Sequence, residues 1–248
     1  VCMAVMTSGT TGIPKIYFRT YESWAGFFCV QNEIFQVTKD SRLFTQGSLA
    51  FTGNLNLYLA QFYAGGTVIA QEAFWPKSWQ QAIEKYHANA IYLIPSKLML
   101  LPKVQKEPYK EIRMILSGSQ SLGIEDAKAL KMIYPNTEII LYYGASELNY
   151  ITYVTGNLIG KAFPGVTVEL KKDEFYIDTA YHVEGITTPY TLHDTGYCDT
   201  EGNFYFTGRK DDILNIRGRK ISALKVENAF LQIDEVKEAA VKVGTHHS

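Results

Sequence analysis

A chain of 248 residues, 46% hydrophobic and 20% charged, suffices for one large folded domain or one and a half ordinary ones. Its net charge of −1 gives no electrostatic reason to expect nucleic acid or an anionic membrane as partner, and no apolar run approaches a membrane span. Cys2, Cys29 and Cys198 are odd in number and far apart, which argues against a disulfide framework or a zinc site and for a reducing, cytoplasmic location.

Taken in chain order, the apolar run Cys2–Met6 reads as a strand, and Arg19–Val37 as a helix with Thr20 at its N-cap. Leu43–Thr45 reads as a short strand. Asn54–Tyr63 has apolar residues at helical spacing, Gly65-Gly66 ends it, and Thr67–Ala70 is strand-like. Pro76–His87 is amphipathic, Ala90–Ile94 is a buried-type strand, and Met114–Leu116 runs into Ser117-Gly118-Ser119. Ile124, Ala127, Leu130 and Ile133 recur every third residue, which is read as one helix face, and Glu138–Tyr142 is again strand. Such alternation implies a mostly parallel sheet with helices on its faces. Beyond about residue 160 the period drops to two, at Val166, Val168 and Leu170, then Phe175 and Ile177, then Phe204 and Phe206, which predicts antiparallel β structure. From Ile213 a strand, a basic loop, a helix over Ala223–Leu231 and a strand over Val236–Val243 suggest a further domain. His246 and His247 read as a solvated tail.

Three segments carry chemistry. Thr7-Ser8-Gly9-Thr10-Thr11-Gly12-Ile13-Pro14-Lys15 follows directly on the first strand. Gly9 and Gly12 let backbone come close to a ligand, and successive N–H groups in such a turn form a concavity for anions. The hydroxyls of Ser8, Thr10 and Thr11 and the ammonium of Lys15 add donors suited to phosphate. The spacing is not that of the common P-loop, in which four residues separate the first glycine from Gly-Lys; taken alone, Gly-Thr-Thr-Gly is also a common polar turn. Next, Tyr142-Tyr143-Gly144-Ala145-Ser146-Glu147 follows a strand. Ligands of open α/β sheets sit at the carboxyl ends of strands, where an aromatic ring can stack on a base and a carboxylate can hold Mg²⁺. The same residues would also cap a helix. Finally, His193-Asp194-Thr195-Gly196-Tyr197-Cys198-Asp199 leads through Glu201-Gly202 to Gly208-Arg209-Lys210-Asp211-Asp212. A carboxylate can accept from both ribose hydroxyls, and an arginine offers a planar fork to oxygens; an Asp/Gly-rich β-turn is the plainer reading.

In this order and with these spacings, the three segments resemble the adenylate-forming superfamily of acyl-CoA synthetases, luciferases and peptide-synthetase adenylation domains. The resemblance implies an α/β fold. Residues 1–210 would be the second part of the N-terminal domain, a mostly parallel sheet with helices plus a small antiparallel β subdomain. Residues 211–248 would begin a small α+β C-terminal domain. Thr7 to Lys15 would form the nucleotide loop, with Gly9 to Lys15 on the β- and γ-phosphates of ATP. Tyr143 would stack on adenine, Gly118 and Ser119 would line its other side, and Ser146 would keep the hydroxyl of the family's threonine. Glu147 would hold Mg²⁺, Asp194 and Arg209 would hold ribose, and Asp211 would be the hinge between domains. Lys15 and Glu147 are the catalytic candidates. The implied reaction activates a carboxylic acid, fatty or aryl, with ATP and passes the acyl-adenylate to coenzyme A or a carrier-protein thiol. Two registers remain at the ribose segment, because the family's Thr-Gly before the aspartate is replaced by Leu192-His193. Thr195-Gly196 would be the alternative pair, leaving Tyr197 in the aspartate's place; the spacing to Gly202 and Gly208-Arg209 favours Asp194. The chain begins inside a strand pattern, and the family's catalytic lysine lies beyond Ser248. Sequence is therefore expected on both sides, and poor adenylation from the isolated chain. The competing class is a non-catalytic nucleotide-binding protein or fragment derived from the same fold.

Overall fold

In a computed structural model, residues 1–7, 15–118, 122–155, 160–210, 213–216, 219–230, 233, 236 and 239–241 are described. The chain divides into two units, one formed by Val1–Thr167 with Thr179–Thr187 and the other by Val168–Asp178 with Thr188–Ser248. Residue 211, the expected domain boundary, lies outside the described residues.

The first unit opens with β1 (Met3–Thr7), paired antiparallel to β2 (Lys15–Arg19) so that Thr7 stands opposite Lys15. The segment read as the start of a helix is therefore strand up to Arg19. Thr20 is the N-cap, its Oγ1 accepting from the Ser23 N–H at 3.1 Å. The expected single helix is broken into α1 (Tyr21–Trp24), a 3₁₀ turn (Ala25–Phe27) and α2 (Phe28–Ile34). Gly26 is a poor helix former, and Phe27 and Phe28 are both buried.

A seven-stranded sheet follows, in the order β4-β3-β5-β6-β7-β8-β9. The strands are β3 (Arg42–Gln46), β4 (Thr67–Gln71), β5 (Ala90–Tyr92), β6 (Met114–Gly118), β7 (Glu138–Ala145), β8 (Asn149–Thr155) and β9 (Lys161–Ala162). The first five are parallel, and β8 and β9 are antiparallel to their neighbours. Their connections carry α3 (Thr52–Tyr63), α4 (Pro76–Lys85), α5 (Pro95–Leu98) and α6 (Ile124–Ile133). After β4 the chain crosses β3 to form β5, so the winding direction reverses between β3 and β5, as at the ligand-binding edge of open α/β sheets. Trp79 and Ile83 of α4, Leu130 and Ile133 of α6, and Phe44, Ile91, Ile115 and Ile139 of the strands form one core cluster.

Of the four residues read as one face of α6, Leu130 and Ile133 are buried, Ala127 is partly buried and Ile124 is 59% exposed. A strict three-residue step loses 60° per repeat at 100° per residue, so Ile124 and Ile133 stand on opposite faces. β8 was not expected; it turns back from β7 through Ser146–Leu148 and makes a hairpin where a helix cap had been the simpler reading.

The second unit centres on most of a four-stranded sheet in chain order, β10 (Val166–Lys171), β11 (Glu174–Thr179), β12 (Asp194–Cys198) and β13 (Phe204–Arg209), in which β12 is antiparallel to both neighbours. A hairpin of β14 (Ile213–Ile216) and β15 (Arg219–Ser222) and helix α7 (Ala223–Phe230) complete it. This agrees with the period-two reading. Of the strand expected over Val236–Val243, residues 236 and 239–241 are described and carry no strand; His246 and His247 lie outside the described residues.

Candidate active site

In the first unit Gly118, Tyr143, Ser146 and Glu147 lie at or just beyond the carboxyl ends of the parallel strands β6 and β7. Gly118 ends β6, and Tyr143 lies near the end of β7 just before the turn with Ser146 and Glu147. Gly118 has no Cβ for a physical reason: one built there would sit 2.5 Å from the Tyr142 ring. A side chain at Gly118 would therefore displace the strand end that leads to Tyr143 and Glu147. Thr7 and Lys15 face each other at the ends of β1 and β2, and Lys15 is exposed. Ser8, Gly9, Thr10, Thr11, Gly12, Ser119 and Asp211 lie outside the described residues.

A cavity of about 160 Å³ opens in the same unit, lined by Trp24, Phe51, Asn56, Tyr142, Ser146 and Tyr150 among others. The indole N–H of Trp24 donates to Asn56 Oδ1, and Asn56 Nδ2 donates to Gln31 Oε1 at 2.8 Å. The hydroxyls of Tyr92 and Tyr142 lie 2.8 Å apart. Burial pushes the Tyr92 hydroxyl up to about 12 and the Tyr142 hydroxyl well above its ordinary value, so both keep their protons across the physiological range. The cavity thus has aromatic walls and a fixed polar side.

Sequence reading missed Arg19. It is 2% exposed, and its Nη1 donates to the carbonyls of Ser23 and Tyr181, each at 3.0 Å. Its Nη2 donates to the Ser146 carbonyl at 2.6 Å. Burial lowers its pKa to about 10, while the Glu147 carboxylate favours the charged form. No motif marks it; its neighbours Ile16, Tyr17 and Phe18 hide one arginine in an apolar run.

In the second unit Asp194 and Arg209 are register partners on β12 and β13. Arg209 Nε donates to Asp194 Oδ1 at 2.9 Å. Asp194 is 1% exposed, whereas the Arg209 side chain is half exposed. Tyr197, the residue of the other register, is exposed and stacks on Tyr205 with ring centroids 4.6 Å apart. His193 has φ +60, a left-handed conformation that glycine adopts without cost. That accounts for the glycine the resemblance places there. The histidine is held by its N–H to Thr191 Oγ1 at 3.0 Å and by Nδ1 against Glu174 Oε1 at 2.7 Å. Glu174 was also missed. Its carboxylate takes Thr191 Oγ1 at 2.9 Å and Lys210 Nζ at 3.2 Å, and the Thr191 hydrogen bond leads the causes that hold its pKa below the usual carboxylate value against its burial.

No group of three or more His, Cys, Asp or Glu side chains among the described residues could hold a metal ion. A lone carboxylate such as that of Glu147 is the kind of ligand Mg²⁺ takes beside waters and substrate phosphates, without an all-protein cage. The three cysteines are free and exposed, and among the described residues no helix is long and apolar enough to cross a membrane.

A mostly parallel sheet with flanking helices and small antiparallel sheets is the N-terminal fold of adenylate-forming enzymes. The chain belongs to the AMP-binding enzyme family, whose model matches residues 1–184. VraA of Staphylococcus haemolyticus, provisionally named a long chain fatty acid-CoA ligase, is 30% identical over 97% of this chain and 56% of its own length. The uncharacterized acyl-CoA ligase YhfT of Bacillus subtilis is 25% identical over 95% of this chain and 54% of its own. Among solved structures, O-succinylbenzoate coenzyme A synthetase (MenE) of Bacillus subtilis, in complex with ATP and magnesium ion, superposes with a TM-score of 0.88 at 19% identity. That match covers 98% of this chain and 57% of that one. The chain spans about half the length of the curated relatives it matches.

Proposed function

We propose that the protein to which this chain belongs activates a carboxylic acid with ATP and passes the acyl group to a thiol, coenzyme A being the acceptor. Gly9 to Lys15 hold the β- and γ-phosphates, Tyr143 stacks on adenine beside Gly118 and Ser119, and Glu147 holds Mg²⁺, with the Ser146 hydroxyl next to it. Bound there, the ion would neutralise developing phosphate charge. Asp194 and Arg209 hold ribose, and Asp211 is the hinge between the two half-reactions. The acid's carboxylate attacks the α-phosphate and pyrophosphate leaves. The chain's part is mainly to position the reactants and supply fixed donors.

The observation that carries this reading is that β6 ends at Gly118, opposite Tyr142, while β7 runs on through Tyr143 to the turn with Glu147 at the carboxyl edge of the parallel strands. The aromatic-walled cavity next to that turn is the place for the acid, and its polar side suits an aryl or short acid better than a long alkyl chain. Relatives named as acyl-CoA ligases support the choice of coenzyme A.

The test is a thermal melt of this chain with and without Mg²⁺ and ATP, since a ligand that binds only the folded state raises the melting temperature. A shift that disappears in Asp194→Ala is the expected result. A shift of equal size in the variant would remove Asp194 from the nucleotide site.

A further inference from the structure

The turn that carries Glu147 is held from two sides. Arg19 Nη2 takes the Ser146 carbonyl at 2.6 Å, and the Val183 N–H takes the Glu147 carbonyl at 2.9 Å. Both holds return to β2. Arg19 is the last residue of that strand and also takes the Tyr181 carbonyl at 3.0 Å. One residue beyond Val183 the chain is pinned again, where the Glu184 N–H donates to the Phe18 carbonyl at 2.8 Å. Strand β2, the segment Tyr181–Glu184 and the Ser146–Glu147 turn therefore form a closed triangle of hydrogen bonds. Its corners are 127 and 162 residues away from Arg19 in sequence.

Arginine is the residue this arrangement requires. A planar guanidinium presents its donors in a fixed fork, and here two nitrogens reach three carbonyls on three separate segments. A lysine has a single nitrogen and could not span them. An apolar side chain would fill the space but leave buried carbonyls without donors. A buried charge of this kind contributes geometric specificity more than stability. Strand β2 also begins at Lys15, so the same strand that leaves the phosphate loop ends in the group that holds the Glu147 turn.

We propose that Arg19 is a positioning residue for Glu147, fixing the main chain of its turn relative to the strand that follows the phosphate loop. The proposal rests on the reading of Glu147 as the metal-holding carboxylate, and its test separates the two. Mg²⁺ is titrated against ATP binding in the full protein that contains this chain, as wild type, Glu147→Gln, Arg19→Gln, Arg19→Lys and the Arg19→Gln/Glu147→Gln double variant. Loss of one charge-assisted contact should raise the Mg²⁺ needed for half-saturation about tenfold in Glu147→Gln. Arg19→Gln should raise it roughly three- to tenfold, with Arg19→Lys between it and wild type. ATP binding in EDTA should change less than about twofold in all of them, because the metal contact is already absent. The double variant should be no worse than Glu147→Gln alone, since one residue acts through the other.

An unchanged Mg²⁺ requirement in Glu147→Gln overturns the metal reading itself. A shift in Glu147→Gln with wild-type behaviour in both Arg19 variants overturns the positioning role, whatever their melting temperatures. Additive losses in the double variant overturn it too. Should Arg19→Gln fail to fold, Arg19→Lys decides, because it keeps the charge and loses the fork.

Discussion

Arg209 and Asp194 face each other on paired strands, with Nε 2.9 Å from Oδ1. The pairing buries the carboxylate almost completely and leaves the guanidinium half exposed. The cation thus orients the carboxylate and still has surface to present. A β-turn was the plainer reading of the Asp194 segment; in the structure Asp194 instead begins strand β12.

Asp194→Asn keeps the shape and removes the charge. Charge-assisted hydrogen bonds contribute about 1.5–3 kcal/mol each. ATP affinity should therefore fall by roughly ten- to a hundredfold, read by titration calorimetry or fluorescence. Affinity within twofold of wild type would count against Asp194 as the ribose carboxylate. Because Arg209 can turn to water once its partner is neutral, the variant should keep a cooperative melt.

The φ of +60 at His193 yields a separate test. His193→Gly removes the conformational strain and the hydrogen bond to Glu174 together, and the two changes offset. Stability within about 1 kcal/mol of wild type is expected. His193→Val places a β-branched residue in the left-handed region and should cost about 1–3 kcal/mol. Chemical denaturation of the two variants decides it, and equal stabilities would mean that the turn relaxes.

The strand-and-helix alternation of the first unit was legible because each buried strand is a short apolar run and each helix carries a helical stripe. β2 was not, since Ile16 and Phe18 are exposed while Arg19 is buried, which inverts the pattern that periodicity relies on. α6 was legible as a helix but not in its buried face, because a step of three drifts around the axis. The three motif segments could be singled out from their own residues and spacing, and the roles proposed for them come from the resemblance. Arg19 and Glu174 could not. Each acts by gripping groups far off in sequence, such as Ser146 from Arg19 and Lys210 from Glu174, and nothing local reports such a grip.

Trp79 tests the core that supports the site. It is fully buried on α4 within the same cluster as Ile115 of β6 and Ile139 of β7, the strands whose carboxyl ends carry Gly118 and Tyr143. Its indole N–H donates to the Ala73 carbonyl at 2.8 Å. Trp79→Ala should cost about 3–5 kcal/mol through lost burial and the cavity left behind. A loss below 1 kcal/mol in urea denaturation would show that the helix is not packed as described.

Asp199 ties the turn between β12 and β13. Its Oδ1 accepts the Glu201 and Asn203 N–H groups at 2.9 Å, and its Oδ2 accepts Asn203 Nδ2 at 2.9 Å and the Tyr205 hydroxyl at 3.0 Å. Hydrogen bonds from Asn203, side chain first and then backbone, lead the causes that bring its pKa down to about 2. An unfolded aspartate titrates near 3.9. A carboxylate depressed by folding stabilises the native state above its unfolded pKa and loses that contribution as pH falls through the folded value. The turn should therefore weaken between about pH 4 and pH 2. Asp199→Asn should be less stable than wild type at pH 7, and the gap should close as pH falls through that window. Thermal melts of both proteins across the range measure it. A gap that stays constant to pH 2 would mean that the Asp199 charge does not hold this turn.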